Sequence, residues 1–418
     1  FNPQELEADQ APSVTEECIE TVIEKIKKAK RPVLNVGSAI HTTNTVELMR
    51  KVAEKLNIPV AVAWDSSDLM PHDNDLFVGI PGLLGDRPGN WAIQNADLVL
   101  SVGCRLSCRQ VGYNVKSWAR EAYVIMVDID QYELMKPSIH VEMPIHADAK
   151  DFLQKLDKAL IEPLEPHEEW LTICRDWKKN YPVVTEKHYR KEGAANAYCF
   201  LNEVSRKAPE DQYIVLGNGT VEACLHAIHI KEHTRLICNS GAASMGYDLP
   251  AAIGCCFATG KKDTLCLTGD GSIQMNLQEL QTIIHHRMGI KIFLINNGGY
   301  HSIRQTQKNF FGEPLVGIGA DSGDLSFPDM EKLAAAYGYP YVKACHNSQL
   351  PEAVKKTLSM EGPVICEIFV TTDQNFEPKS SAKRLPDGTL VSPPLEDLSP
   401  FLSEEEMDAN MIIPRIRS

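Results

Sequence analysis

Between Val14 and Lys28 the apolar positions Cys18, Ile19, Val22, Ile23 and Ile26 fall at helical spacing, which predicts an amphipathic helix. The next run, Arg31-Pro32-Val33-Leu34-Asn35-Val36, is short, apolar and bounded by a turn at Gly37-Ser38-Ala39, the signature of a buried strand. The pattern repeats as a helix over 45–56, a strand over 58–62, a Gly/Pro-rich loop over 79–89, and strands over 96–103 and 123–128. Strands alternating with helices predict a parallel sheet covered on both faces, here in a first domain over residues 14–161.

Residues 162–190 are rich in Pro, Glu and Lys and read as an interdomain linker carrying a helix. A second alternating pattern fills 191–375, with strands over 213–216, 264–268, 291–295 and 364–369 and helices over 277–286 and 329–337. The predicted class is α/β: two doubly wound parallel-sheet domains joined by a linker. Residues 376–418 show little periodicity and are expected to form a C-terminal tail, a surface segment or lid. Residues 1–13 read as linker, like the middle of an extended connection, so a longer protein is expected.

The length of 418 residues suits two or three domains at ~150 residues each. A formal net charge of −14 argues against nucleic acid or an anionic membrane as a main partner. It leaves room for an anionic cofactor, because backbone amides and metal ions hold phosphates. No apolar run is long enough to predict a membrane span. The 12 cysteines have no framework spacing and several sit inside apolar runs. They read as free thiols in a reducing cytoplasm. Cys104 and Cys108 lack a second Cys or His pair, so no zinc site is expected.

One segment carries chemistry. The apolar strand over 264–268 runs into Gly269-Asp270-Gly271-Ser272, and the strand over 291–295 runs into Asn296-Asn297-Gly298-Gly299-Tyr300, with 24 residues between Gly271 and Asn296. This reads as one βαβ unit whose strand ends lie together at the ligand-binding edge of a sheet. Gly269 and Gly271 let backbone amides approach oxygen atoms closely. Asp270, the Asn297 side-chain carbonyl and the Gly299 backbone carbonyl are hard oxygen donors of the kind magnesium shares with phosphate.

That spacing resembles the thiamine diphosphate-binding motif of transketolases, decarboxylases and acetolactate synthases. The stretch Asn239-Ser240-Gly241-Ala242-Ala243-Ser244-Met245-Gly246-Tyr247-Asp248-Leu249-Pro250-Ala251-Ala252-Ile253-Gly254 resembles the S-G-x-x-x-M-G-x-x-L-P-A-A-I-G segment of the acetolactate synthase family. Alone, Met245 reads as core filler. The resemblance implies instead that Met245 wedges between the two cofactor rings and that the Ala243 carbonyl bonds the aminopyrimidine, with Ser244 between them. Family members often have glycine where Ala243 stands. Gly217-Asn218-Gly219-Thr220 resembles another family loop at the diphosphate.

By the same resemblance, residues 14–160 look like the family's central domain and 190–375 its diphosphate-binding domain. Its pyrimidine-binding domain, with the glutamate that activates the cofactor, matches nothing in this sequence, so a preceding segment or another chain is expected to supply it. In acetolactate synthases the central domain holds FAD. Gly37-Ser38-Ala39, Gly82-Leu83-Leu84-Gly85-Asp86, Gly103-Cys104-Arg105 and Asp128-Ile129 match those contacts by position. After Arg105 the family's Phe and two Asp residues are replaced by Leu106, Ser107 and Cys108. FAD, ADP and an empty domain all stay open.

The implied activity is a thiamine diphosphate- and magnesium-dependent carboligase. It would decarboxylate pyruvate or a similar 2-oxo acid and pass a two-carbon unit to a carbonyl acceptor, as a homo-oligomer. The alternatives are a 2-oxo acid decarboxylase or lyase and a non-catalytic nucleotide-binding subunit. The stretch Tyr300 to Gln307 is expected on the substrate side, with His301 a solvent-facing loop residue or, alternatively, a proton relay.

Overall fold

The computed structural model describes residues 11–189, 193–384 and 387–416. The expected linker residues 1–10 and the boundary at 190–192 lie outside the described residues. The chain forms two compact units: residues up to Pro182 with those from Glu377 onward, and Val183–Phe376.

In the first unit six strands lie parallel: β1 (Pro32–Val36), β2 (Val60–Val62), β3 (Phe77–Gly79), β4 (Leu98–Val102), β5 (Tyr123–Asp128) and β6 (Met143–His146), in the spatial order β3-β2-β1-β4-β5-β6. The central strands β1 and β4 are buried along their whole length, as a sheet covered on both faces requires. Helix Glu16–Lys28 buries Ile19, Val22 and Ile26, and Thr15 caps it by accepting the Cys18 N–H. The linker helix, Glu168–Asn180, buries Trp170 and Trp177, which meet edge to face at 5.5 Å.

The C-terminal stretch is more than a surface segment, because it completes this unit. Leu395 and Leu398 are buried, Trp91 Nε1 donates to the Glu396 carbonyl at 2.9 Å, and Asn95 Oδ1 accepts the Ile412 N–H at 2.7 Å. Helix Arg87–Asn95 is therefore buried on every side.

In the second unit another six parallel strands follow: β7 (Tyr213–Leu216), β8 (Arg235–Ile237), β9 (Thr264–Gly269), β10 (Ile290–Asn296), β11 (Tyr341–Ala344) and β12 (Val364–Phe369), ordered β11-β12-β10-β9-β7-β8. Ile295 pairs with Gly269, so the two motif strands end side by side. Among the described residues no helix is long and apolar enough to cross a membrane.

Candidate active site

The C-terminal ends of β7, β9 and β10 surround a cavity of about 250 Å³. Its lining includes Asn218, Gly219, Thr220, Met245, Gly269, Asp270, Gly271, Ser272, Asn297, Gly299 and Tyr300. Gly217, Ala243 and Ser244 are not part of this lining; Gly217 is buried, Ala243 half-buried and Ser244 exposed.

Asp270 is buried in the turn after β9, and its carboxylate clamps both motifs. Oδ1 accepts the Gly271 N–H and Oδ2 the Gly299 N–H, each at 2.9 Å. Burial pushes its pKa up to about 6 against the pull of these amides. Asn296 turns away from the cavity: its amide donates to Glu367 at 2.7 Å and its oxygen accepts the Gly298 N–H at 3.0 Å. Asn297 turns in. Its Nδ2 donates to Thr220 Oγ1 at 2.8 Å, and its Oδ1 is buried without a hydrogen-bond partner among the described residues, on a residue that lines the cavity. A buried polar atom left bare is costly, so this oxygen has acceptor capacity for a hydrogen-bond donor or a cation.

Gly299 is required where it stands. Its φ is +134°, and a Cβ there would lie 1.8 Å from the Ile318 carbonyl oxygen. Its own carbonyl accepts the His301 N–H at 3.1 Å. Gly271 makes room for the Tyr300 ring, which a Cβ would meet at 2.4 Å, so the two motifs interlock.

His301 is buried at 4% exposure and opens helix His301–Phe310, rather than facing solvent from a loop. Arg304 NH1 approaches its Nδ1 at 3.3 Å, and its Nε2 lies 3.1 Å from the Gln374 carbonyl and 2.8 Å from Gln305 Nε2. Burial lowers its pKa, so the ring stays neutral. Arg304 is itself held in a two-pronged pair with Asp321, at 2.7 and 3.0 Å, and donates to the Gly298 carbonyl at 3.2 Å. This brace on the Gly298 loop gave no signal in the sequence, because Asp321 lies 17 positions from Arg304 in a separate short 3-10 turn. His301, Ser302 and Ile303 also line the cavity.

Ala243 adopts φ +50°, which explains the glycine common in similar sequences. Its carbonyl accepts a short hydrogen bond from Asn218 Nδ2.

The residues expected to contact a nucleotide lie in the first unit, at the ends of β1, β4 and β5. The Ala39 N–H donates to the Gly103 carbonyl at 3.2 Å, and a Cβ on Gly37 would lie 2.4 Å from that oxygen, so the Gly37-Ser38-Ala39 and Gly103 loops pack on each other. Arg105 is exposed, as is Ile129. Asp128 is half-buried, and burial raises its pKa. Asp86 faces inward, accepting the Ile80 and Gly89 amides at 2.9 and 2.7 Å.

Comparison with known proteins gives two family matches: "Thiamine pyrophosphate enzyme, central domain" over residues 19–156, and "Thiamine pyrophosphate enzyme, C-terminal TPP binding domain" over 216–368. Curated relatives include an acetolactate synthase large subunit of Cyanidium caldarium, 30% identical over 85% of this chain and 61% of that protein. Another is the isozyme 1 large subunit of Escherichia coli K12, 28% identical over 90% of this chain and 65% of the relative. The chain thus spans less than two thirds of the length of these relatives. Both domain matches agree with the paired motifs around Asp270 and Asn297: the chain belongs to the thiamine pyrophosphate enzymes and is similar to acetolactate synthase large subunits.

Proposed function

We propose that this chain carries the magnesium- and diphosphate-binding part of a carboligase that decarboxylates pyruvate or a similar 2-oxo acid and transfers the two-carbon unit to a carbonyl acceptor. The observation that carries the reading is the bare, buried Oδ1 of Asn297 beside the buried Asp270 carboxylate. Asp270, Asn297 and the Gly299 carbonyl would hold magnesium, and Gly269, Gly271, Ser272 and the Gly217–Thr220 loop would surround the diphosphate. Met245 would bend the cofactor and the Ala243 carbonyl would orient its aminopyrimidine. Thiamine diphosphate, when bound, supplies a nucleophilic carbon that attacks the 2-oxo acid. The chain's residues would exclude water, hold the metal and fix the reacting ring.

In this reading a pyrimidine-binding domain, from a preceding segment or another chain, completes the site in a cytoplasmic homo-oligomer. The half-buried Asp128 carboxylate at a strand end suits a ribose hydroxyl, which supports a nucleotide in the first unit. Its identity, FAD or ADP, is read from the absorbance and acid-released ligand of the purified protein.

The deciding assay supplies pyruvate with and without a second carbonyl compound, in the presence of thiamine diphosphate and magnesium. Product that needs the acceptor supports the carboligase. Free acetaldehyde as the main product overturns it in favour of a decarboxylase. Failure to bind the cofactor with the complementing domain present points to a non-catalytic subunit.

A further inference from the structure

Asp248 follows Met245 by three positions and opens helix Asp248–Ala258, with 0% of its surface exposed. Its position is one of the variable ones in the M-G-x-x-L-P pattern, so the resemblance gave it no role. Its Oδ2 receives two hydroxyl protons, from Thr268 Oγ1 at the end of β9 and from Ser272 Oγ in the turn beyond, both at 2.7 Å. Oδ1 accepts the Leu249 N–H at 2.9 Å.

A serine hydroxyl has one proton. With that proton given to Asp248, the Ser272 oxygen is left as an acceptor, and it takes the Gly246 N–H at 2.9 Å. The Gly246 carbonyl is held in turn by Asn276 Nδ2 at 2.6 Å. The peptide groups on both sides of Gly246 are therefore pinned, and Gly246 directly follows Met245. Gly217 completes the fit: a Cβ there would lie 2.4 Å from Asp248 Oδ2. One buried carboxylate thus meets the strand end, the Asp270 turn and the Gly217 loop, and reaches the Met245 segment through Ser272.

We propose that Asp248 is a positioning residue: acting through Ser272, it sets the spacing between the turn that carries Asp270 and the backbone that carries Met245. The inference rests on the cofactor reading above and adds a residue to it. Asp248 touches neither cofactor nor substrate. It fixes where the wedge stands relative to the diphosphate.

The test uses the whole protein with Asp248→Asn, Ser272→Ala and Thr268→Val. Two ligands are titrated calorimetrically: magnesium pyrophosphate, which fills only the diphosphate cradle, and thiamine diphosphate with magnesium. Asp248→Asn and Ser272→Ala are each expected to weaken thiamine diphosphate at least about tenfold, and Asp248→Asn, which lies outside the cradle, to change pyrophosphate by no more than about threefold. Thr268→Val keeps the Ser272 link and should keep the wild-type ratio. In a Met245→Ala background, Asp248→Asn should lose no further preference for the full cofactor. Equal loss of both ligands, an unchanged ratio, or full additivity with Met245→Ala overturns the proposal. Amide exchange at Gly246 in the ligand-free protein is read in parallel and should quicken in Ser272→Ala and Asp248→Asn. Unchanged exchange overturns the strut, whereas wild-type protein that binds neither ligand overturns the cofactor reading.

Discussion

At the scale of single residues, Ala243 is a direct case of local strain. An L-residue at φ +50° costs about 1–2 kcal/mol, while glycine there pays about 0.5–1 kcal/mol in chain entropy. Ala243→Gly should therefore raise stability by up to about 1 kcal/mol, visible as a higher melting temperature of the ligand-free protein. A lower one would mean that the methyl group packs usefully.

Asp86 gives a pH signature. Burial lifts its pKa to about 7, against the opposing pull of the Ile80 and Gly89 amides and of Lys178. The folded state then keeps a proton that the unfolded chain has lost. This contribution is full below the unfolded carboxylate value near ~4 and is lost as pH rises through 7. Compared with Asp86→Asn in thermal melts, the wild type should lose up to about 4 kcal/mol of relative stability between pH 4 and 7.5. Parallel curves for the two proteins would reject the assignment.

At the scale of elements, the strands legible in the sequence were the interior ones. β1, β4, β9, β10 and β12 are buried along nearly all their length and read as continuous apolar runs. The four strands that gave no signal, β3, β6, β8 and β11, are the edge strands of the two sheets. They have three or four residues of pattern to offer, and exposed positions such as Pro144 and Lys343 interrupt it. The candidate site was legible in the same uneven way. Asp270, Asn297 and the glycines announce themselves by type and spacing. Asp248, Arg304 and Asp321 act through contacts made only when distant segments meet, so no local pattern marks them. Within helix Arg87–Asn95, complete burial shows the reach of such contacts, since its cover comes from residues some three hundred positions later.

At the scale of the whole molecule, two units should respond to two different perturbations. Leu398 is fully buried in the first unit, so Leu398→Ala should cost that unit about 3 kcal/mol. Thiamine diphosphate with magnesium at 100 times its dissociation constant should stabilise the second unit by about 2.7 kcal/mol. Hydrogen exchange resolved by peptide separates the two effects: strands β1 and β4 report the first, β9 and β10 the second. Protection that moves together in both units, under either perturbation, would refute this division.

The return of residues 395–413 to helix Arg87–Asn95 also sets an order of events on the ribosome. At about 5–20 residues per second, the segment that covers Trp91 emerges roughly 10–50 s after Pro182. The second unit, contiguous in sequence from Val183 to Phe376, can close before the first is finished. During that interval the Trp91 face stands open to chaperones. A truncation that removes residues 395–413 would leave the Val183–Phe376 unit whole and uncover the Trp91 face of the first.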